Sequence, residues 1–143
     1  APGGTTAAAA GNPFSGVALY ANPYYASEIS AYAIPSLTGA MATKAAAVAK
    51  VPTFVWLDTM SKVPLMSTFL ANIRALNTAG ASPKVAGTFV VYDLPDRDCA
   101  ALASNGEYSI ANGGVANYKK YIDAIKALLV TYSDVKVILV IGT

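Results

Sequence analysis

Within six residues the chain places three carboxylates and a guanidinium, in the run Asp93-Leu94-Pro95-Asp96-Arg97-Asp98. They follow directly on Thr88-Phe89-Val90-Val91-Tyr92, an apolar and β-branched stretch that reads as a buried strand. In α/β folds, residues just past the C-terminal end of a strand stand where active sites are built. The same residues have a structural reading. Asp-rich turns cap helices, and Asp98 ahead of Cys99-Ala100-Ala101-Leu102 has the form of an N-cap. Arg97 on this reading forms a surface ion pair with Asp96 or Asp93, Tyr92 is the polar-tipped end of a strand, and Ser104 is a turn residue. A second pair, Trp56 and Asp58, closes another apolar run, Phe54-Val55-Trp56-Leu57-Asp58. Tryptophan stacks on the apolar faces of pyranose rings and a nearby carboxylate accepts from sugar hydroxyls. The alternative is a core tryptophan with Asp58 capping the next segment.

Strand and helix patterns alternate along the chain that carries these residues. Val17-Ala18-Leu19-Tyr20-Ala21 reads as a short strand ended by Asn22-Pro23, and helical pieces follow over Ser27–Ile34 and Ala40–Lys50, divided by Pro35 and Gly39. Pro52–Leu57 is a second strand. Leu65, Phe69, Ile73 and Leu76 then recur at helical spacing, with Gly80 where a C-terminal cap belongs. Gly87–Tyr92 is a third strand. The helix after it sets Val115, Tyr118, Ile122, Ile125 and Leu129 on one face, with Lys119, Lys120, Asp123 and Lys126 largely on the other. Tyr118, Tyr121 and Tyr132 read as helix packing. The last strand, Val135–Ile141, is apolar without alternation, as when both faces of a parallel sheet are covered. Such alternation predicts an α/β fold with a parallel sheet and right-handed crossovers. Residues 1–11, rich in Ala, Gly, Thr and Pro without periodicity, read as linker.

Composition narrows the function classes. The chain has 143 residues, enough for one domain with a core, and its 55% hydrophobic share is inflated by alanine. No apolar run is long enough to span a bilayer, and the opening residues lack the form of a signal peptide. A net charge of +2 is too balanced to point to nucleic acid or an anionic membrane. With no histidine and one cysteine, the common zinc and iron–sulfur spacings are excluded, as is a Ser-His-Asp triad. Nothing points to a metal or an organic cofactor. Cys99 reads either as a small buried hydrophobe or as a thiol awaiting a partner.

Tyr92-Asp93-Leu94-Pro95-Asp96-Arg97-Asp98-Cys99-Ala100-Ala101 resembles the signature of glycoside hydrolase family 6, and its continuation through Ser104 to Ala111 is similar to the fungal cellobiohydrolase branch. Asn12-Pro13-Phe14 with Tyr24-Tyr25, Ala33-Ile34-Pro35-Ser36-Leu37 and Phe54 to Asp58 match in family order, across nearly the whole chain after the first eleven residues. The resemblance implies the N-terminal part of a distorted, seven-stranded parallel β/α barrel over residues 12–143. It also implies a linker before it that joins a cellulose-binding module, and continuation beyond residue 143. After Leu139-Val140-Ile141 the family continues with Glu-Pro-Asp, where this chain reads Gly142-Thr143.

Each site residue takes a role from that resemblance. The family inverts configuration, and the general acid is the aspartate of the Glu-Pro-Asp segment. Asp98 matches the neighbouring aspartate that raises the acid's pKa, since two carboxyls at hydrogen-bonding distance do not readily both ionise. Arg97 holds Asp98 in place and stabilises its charge. Tyr92 matches the tyrosine beneath the sugar at the cleavage point, and Ser104 a mobile-loop residue that places the attacking water. Trp56 matches a sugar platform on the non-reducing side, and Asp58 a hydroxyl partner. Cys99 matches a cysteine whose disulfide partner lies further along the chain. The implied function is extracellular release of cellobiose from non-reducing ends of β-1,4-glucan by a monomer, with cellulose and cello-oligosaccharides as partners. An endo-acting cellulase and a catalytically inactive glucan-binding fragment are the alternatives, and the 143-residue chain alone is expected to be inactive.

Overall fold

The computed structural model describes residues 11–142. The stretch read as linker lies outside the described residues up to position 10. Its centre is a strand with partners on both edges. β3 (Lys84–Val91) pairs in parallel with β2 (Val55–Leu57) and with β4 (Val137–Ile141), Val90 facing both Trp56 and Val140. Because β2 and β4 flank the same residues, they lie on opposite edges of β3. The short β1 (Val17–Leu19) pairs with the start of β3, Ala18 beside Val85.

β3 begins three residues before Gly87, where the strand was expected to start. The reason is local: the carboxamide of Asn77 accepts from the Val85 N–H at 2.8 Å and donates to its carbonyl at 3.0 Å, standing in for a neighbouring strand. Asn77 belongs to α3 (Val63–Thr78), which ends as expected at Gly80. There φ is +97°, and the N–H groups of Gly80 and Ala81 return to the carbonyls of Asn77 and Leu76. This is the double bond of a Schellman cap, which glycine forms without steric cost.

The face of the sheet made by Val55, Leu57, Phe89 and Val91 packs on α3 and on α4 (Gly114–Thr131). Met66, Phe69, Leu70 and Ile73 from α3 meet Tyr121 and Ile125 from α4 in this layer. Each such buried side chain contributes about 1.5–3 kcal/mol of transfer free energy. Gly87 sits at the closest approach of α3 to β3, where a Cβ would stand 2.9 Å from the Phe89 ring and 3.1 Å from Ile73. The two helices are also joined outside the core, where Arg74 pairs with Asp134 and lies over the Tyr132 ring at 4.3 Å.

Several elements depart from the sequence expectation. The first helix, α1, starts at Pro23 rather than Ser27. Asn22 caps it, accepting from the N–H groups of Tyr24 and Tyr25, with proline in the first turn where it has no N–H to lose. The helical path then widens to a π turn over Ile29–Ala33 and tightens to a 3-10 turn over Ile34–Ser36, so Pro35 ends a helix without standing alone. α2 covers Gly39–Val48. On α4, Val115 is exposed while Tyr121 occupies the centre of the buried face. No helix follows Asp98. Its φ of +50° lies outside the extended region that an N-cap occupies, and residues 99–104 form turns.

The Tyr121 hydroxyl is fully buried and donates to the Leu57 carbonyl at 2.5 Å, joining α4 to the end of β2. That carbonyl also accepts from the Tyr92 N–H, so it keeps a partner if the hydroxyl is removed. Tyr121→Phe is therefore expected to lower the unfolding free energy by about 1 kcal/mol, against about 2–5 kcal/mol for Ile73→Ala. Urea titration at constant m-value checks both.

Candidate active site

In a parallel sheet all strands end on the same side, and here three ends converge. Tyr92 donates its N–H to Leu57, and Gly142 donates its N–H to Val91 at 2.7 Å. Alternation along β3 sends Val91 towards the helices and Tyr92 towards the other face, the face to which Trp56 and Val140 also belong. The Trp56 and Tyr92 rings meet edge to face, centroids 5.0 Å apart and planes at 77°. With Phe54, Val140 and Gly142 they line an open cavity of about 380 Å³. Trp56 is 54% exposed in this chain and stands outside the core packed against the helices.

Asp98 comes to this aromatic corner by way of a strained turn. Asp96 and Asp98 both adopt left-handed backbone, with φ of +57° and +50°. Aspartate enters this region more readily than most residues, and such strain persists only where surrounding contacts enforce it. Here they do. The Asp96 N–H bonds to Tyr108 at 2.8 Å, its carboxylate accepts from the Ile110 N–H, and the Ala101 N–H returns to Asp98. The Tyr92 hydroxyl donates to Asp98 Oδ2, and this carboxylate partner pushes the phenol's pKa up.

Among the described residues no ion pair joins Arg97 to Asp98, and of Asp96 and Asp93 its acidic neighbour is Asp93. Its guanidinium lies over the Tyr92 ring at 4.3 Å, and Nη2 donates to the Asp58 carbonyl at 2.9 Å. Its Nε stands 3.8 Å from Asp93, within ion-pair range but beyond a hydrogen bond. The arginine thus clamps the tyrosine face and ties the end of β2 to the turn after β3. Gly106 makes room for it, since a Cβ there would fall 2.8 Å from Arg97 Cγ and Nε. The Asp58 side chain does not cap the next segment. It pairs with Lys62 one turn on, at 2.6 Å.

Ser104 lies on the exposed outer turn of the loop, its N–H bonded to Ala101. Among the described residues no hydrogen bond joins its hydroxyl to Tyr92 or Asp98. Cys99 is exposed on the same loop with a free thiol, which removes the buried-hydrophobe reading. Tyr92, Arg97, Asp98, Trp56 and the Asp58 backbone are therefore brought together, while Ser104 and Cys99 flank them.

Sequence reasoning noted Asp93 among the carboxylates of the turn but gave it no role in the site, and did not single out Glu107 at all. Asp93 follows Val91 on the helix-facing side, so it is fully buried, and neither of its oxygens has a hydrogen-bond partner among the described residues. Burial first, and then the nearby Glu107 carboxyl, raise its pKa to about 7. Glu107 reaches across to accept from the Met60 N–H at 2.7 Å. The period-two pattern of β3, carried two residues past Val91, was the signal for Asp93. Glu107 has no local signature.

The model of glycosyl hydrolases family 6 matches residues 14–142. The chain belongs to this family. Among its relatives, a probable 1,4-beta-D-glucan cellobiohydrolase C of Aspergillus clavatus is 69% identical over 136 residues, covering 95% of this chain and 29% of that protein. Exoglucanase 2 of Hypocrea jecorina is 67% identical over 139 residues, covering 97% of this chain and 29% of the relative. The chain thus spans less than a third of the length of these curated relatives. Among solved family structures, the catalytic core domain of the cellobiohydrolase Cel6A from Chaetomium thermophilum superposes with a TM-score of 0.89 at 63% identity, over 93% of this chain and 37% of that one. Cellobiohydrolase II from Humicola insolens, solved in complex with glucose and cellotetraose, superposes with a TM-score of 0.87 at 55% identity, over 92% and 37%. The family's mixed α/β architecture with parallel strands is shared.

The raised pKa of Asp93 makes stability depend on pH. Between the unfolded carboxyl's value of about 4 and the folded value of about 7, the native state binds more protons than the unfolded one. Stability therefore falls as pH rises through this window and levels off above it. Asp93→Asn is expected to flatten that slope and to gain stability relative to wild type at neutral pH. Thermal unfolding of both proteins from pH 4 to 8 checks it, and parallel curves would contradict the assignment.

Proposed function

We propose that this chain is the N-terminal portion, residues 12–143, of a cellulase catalytic domain whose complete form is a distorted seven-stranded β/α barrel. The complete protein releases cellobiose from the non-reducing ends of β-1,4-glucan with inversion, as a secreted monomer. The observation that carries this reading is the aromatic corner of Trp56 and Tyr92 with the Asp98 carboxylate bonded to the tyrosine hydroxyl. A ring plane beside a carboxylate at the end of parallel strands suits a pyranose with its hydroxyls turned to acceptors. The names of the relatives, a cellobiohydrolase and an exoglucanase, support the exo over the endo alternative.

In the proposed scheme Trp56 carries a sugar on the non-reducing side of the cleavage point and Asp58 lies within reach of its hydroxyls. Tyr92, held between the Arg97 guanidinium and Asp98, supports the sugar at the cleavage point. Tyr92 occupies one oxygen of Asp98, which leaves the other for the carboxyl of the general acid. Two carboxyls so placed share a proton, which keeps the acid protonated at working pH. Arg97 acts on Asp98 through Tyr92 rather than by a direct ion pair. Ser104 places the attacking water once its loop closes over bound sugar, and Cys99 pairs with a cysteine further along the chain.

The acid belongs to a Glu-Pro-Asp segment that this sequence does not contain. The 143-residue chain is accordingly expected to bind cello-oligosaccharides without cutting them. Cellobiose should quench or shift the fluorescence of Trp56, the single tryptophan. Trp56→Phe should weaken binding, read by calorimetry, by about tenfold, equivalent to about 1.4 kcal/mol. Release of cellobiose from cellulose by the verified 143-residue chain would contradict the assignment of the acid. Absence of any sugar binding would contradict the site.

A further inference from the structure

The turn that carries Asp98 is tied to a later part of the chain. Asp96 and Asp98 both have left-handed backbone, with Arg97 between them. Three hydrogen bonds join this turn to the segment that follows the loop. The Asp96 N–H donates to the Tyr108 carbonyl at 2.8 Å, the Gly106 N–H to the Arg97 carbonyl at 3.3 Å, and the Ile110 N–H to Asp96 Oδ1 at 3.2 Å. Two of the three belong to Asp96.

The side-chain bond fills a gap in a helix start. A 3-10 turn over Ile110–Asn112 leads into α4, and Ser109 stands in its N-cap position without a side-chain bond. The first N–H groups of a helical segment have no partner within it, and a short polar side chain just ahead ordinarily supplies one. Here the acceptor comes from Asp96, 14 positions earlier. The far end of this connection is firm, since Tyr108 packs against the core and α4 is anchored there by Tyr121 and Ile125. The loop on the other side of Asp98 offers no such hold. Among the described residues, the backbone bonds of residues 99–105 reach no further than Asp98.

We propose that Asp96 is a positioning residue for the Asp98 carboxylate: its own carboxylate, bonded to the Ile110 amide, fixes the left-handed turn and so aims Asp98 at the Tyr92 hydroxyl. The importance of that aim rests on the reading of Asp98 as the partner of the general acid. Asp96 acts through Asp98 alone. Aspartate suits both duties, because it enters left-handed backbone more readily than most residues and carries a short acceptor. Asparagine keeps both properties, glycine keeps only the backbone freedom, and alanine keeps neither.

These three substitutions separate the side chain from the backbone. Tyrosine isotope-labelled at Cζ gives an NMR resonance for each phenol that responds to the partner of its hydroxyl. In the 143-residue chain, Tyr92→Phe assigns the Tyr92 resonance and Asp98→Ala gives its position without the carboxylate. Near-ultraviolet circular dichroism establishes equal folding. The expected result is that Asp96→Asn leaves the Tyr92 resonance in place, while Asp96→Gly and Asp96→Ala move it at least half-way to its Asp98→Ala position. An unmoved resonance in Asp96→Gly would overturn the proposal, and glycine keeps that outcome available if the alanine variant does not fold. A shift in Asp96→Asn as large as in Asp96→Gly would also overturn it, since charge rather than the bond to Ile110 would then decide. In the complete catalytic domain, Asp96→Gly is expected to lower kcat on cellohexaose about tenfold with KM unchanged, and Asp96→Asn to restore it. An unchanged kcat beside a shifted Tyr92 resonance would uphold the positioning and remove the role read for Asp98.

Discussion

Everything in this molecule follows from the position of β3, which is held on both edges along the same residues. A strand so fixed has no freedom of register, and each side chain must go to one face or the other. A slip of one residue would exchange the two sets. Phe89 and Val91 enter the helix layer, while Val90 faces Trp56 and Val140. At the strand's end the same rule separates two neighbours with opposite fates. Tyr92 turns to the open cavity and Asp93 to the dry interior. The functional corner and the buried acid are consequences of one alternation.

Much of this was legible beforehand, for physical reasons. The β-branched run before Tyr92 and the apolar spacing of α3 describe surfaces that must be buried, and burial leaves a periodic trace. Gly80 was legible because a left-handed helix end selects glycine. Asn22-Pro23 shows the limit of such signals: the pair ends a strand and starts a helix, and composition alone favours neither. The displaced start of α1 follows from that ambiguity.

The arrangement around Asp98 was legible only in its parts. Its geometry depends on groups without local periodicity: two left-handed aspartates, a guanidinium bonded to a backbone carbonyl on another strand, and a glycine that yields space to it. A backbone carbonyl has no letter in the sequence, so the partner of Arg97 could not be read there. The meeting of Trp56 with Tyr92 likewise depends on strand register across the intervening helix. Resemblance to a family pointed to the residues, and the fold shows the contacts that join them.

The bond from the Met60 amide to the Glu107 carboxylate spans 47 positions in the chain and closes the gap between the loops that follow β2 and β3. Arg97 closes the same gap a second time through the Asp58 carbonyl. Two staples between two loops remove their independence. The strand end that carries Trp56 and the carboxylate turn are thereby one mechanical unit, so that amide hydrogens in both loops exchange with solvent in a single cooperative opening rather than each at its own rate.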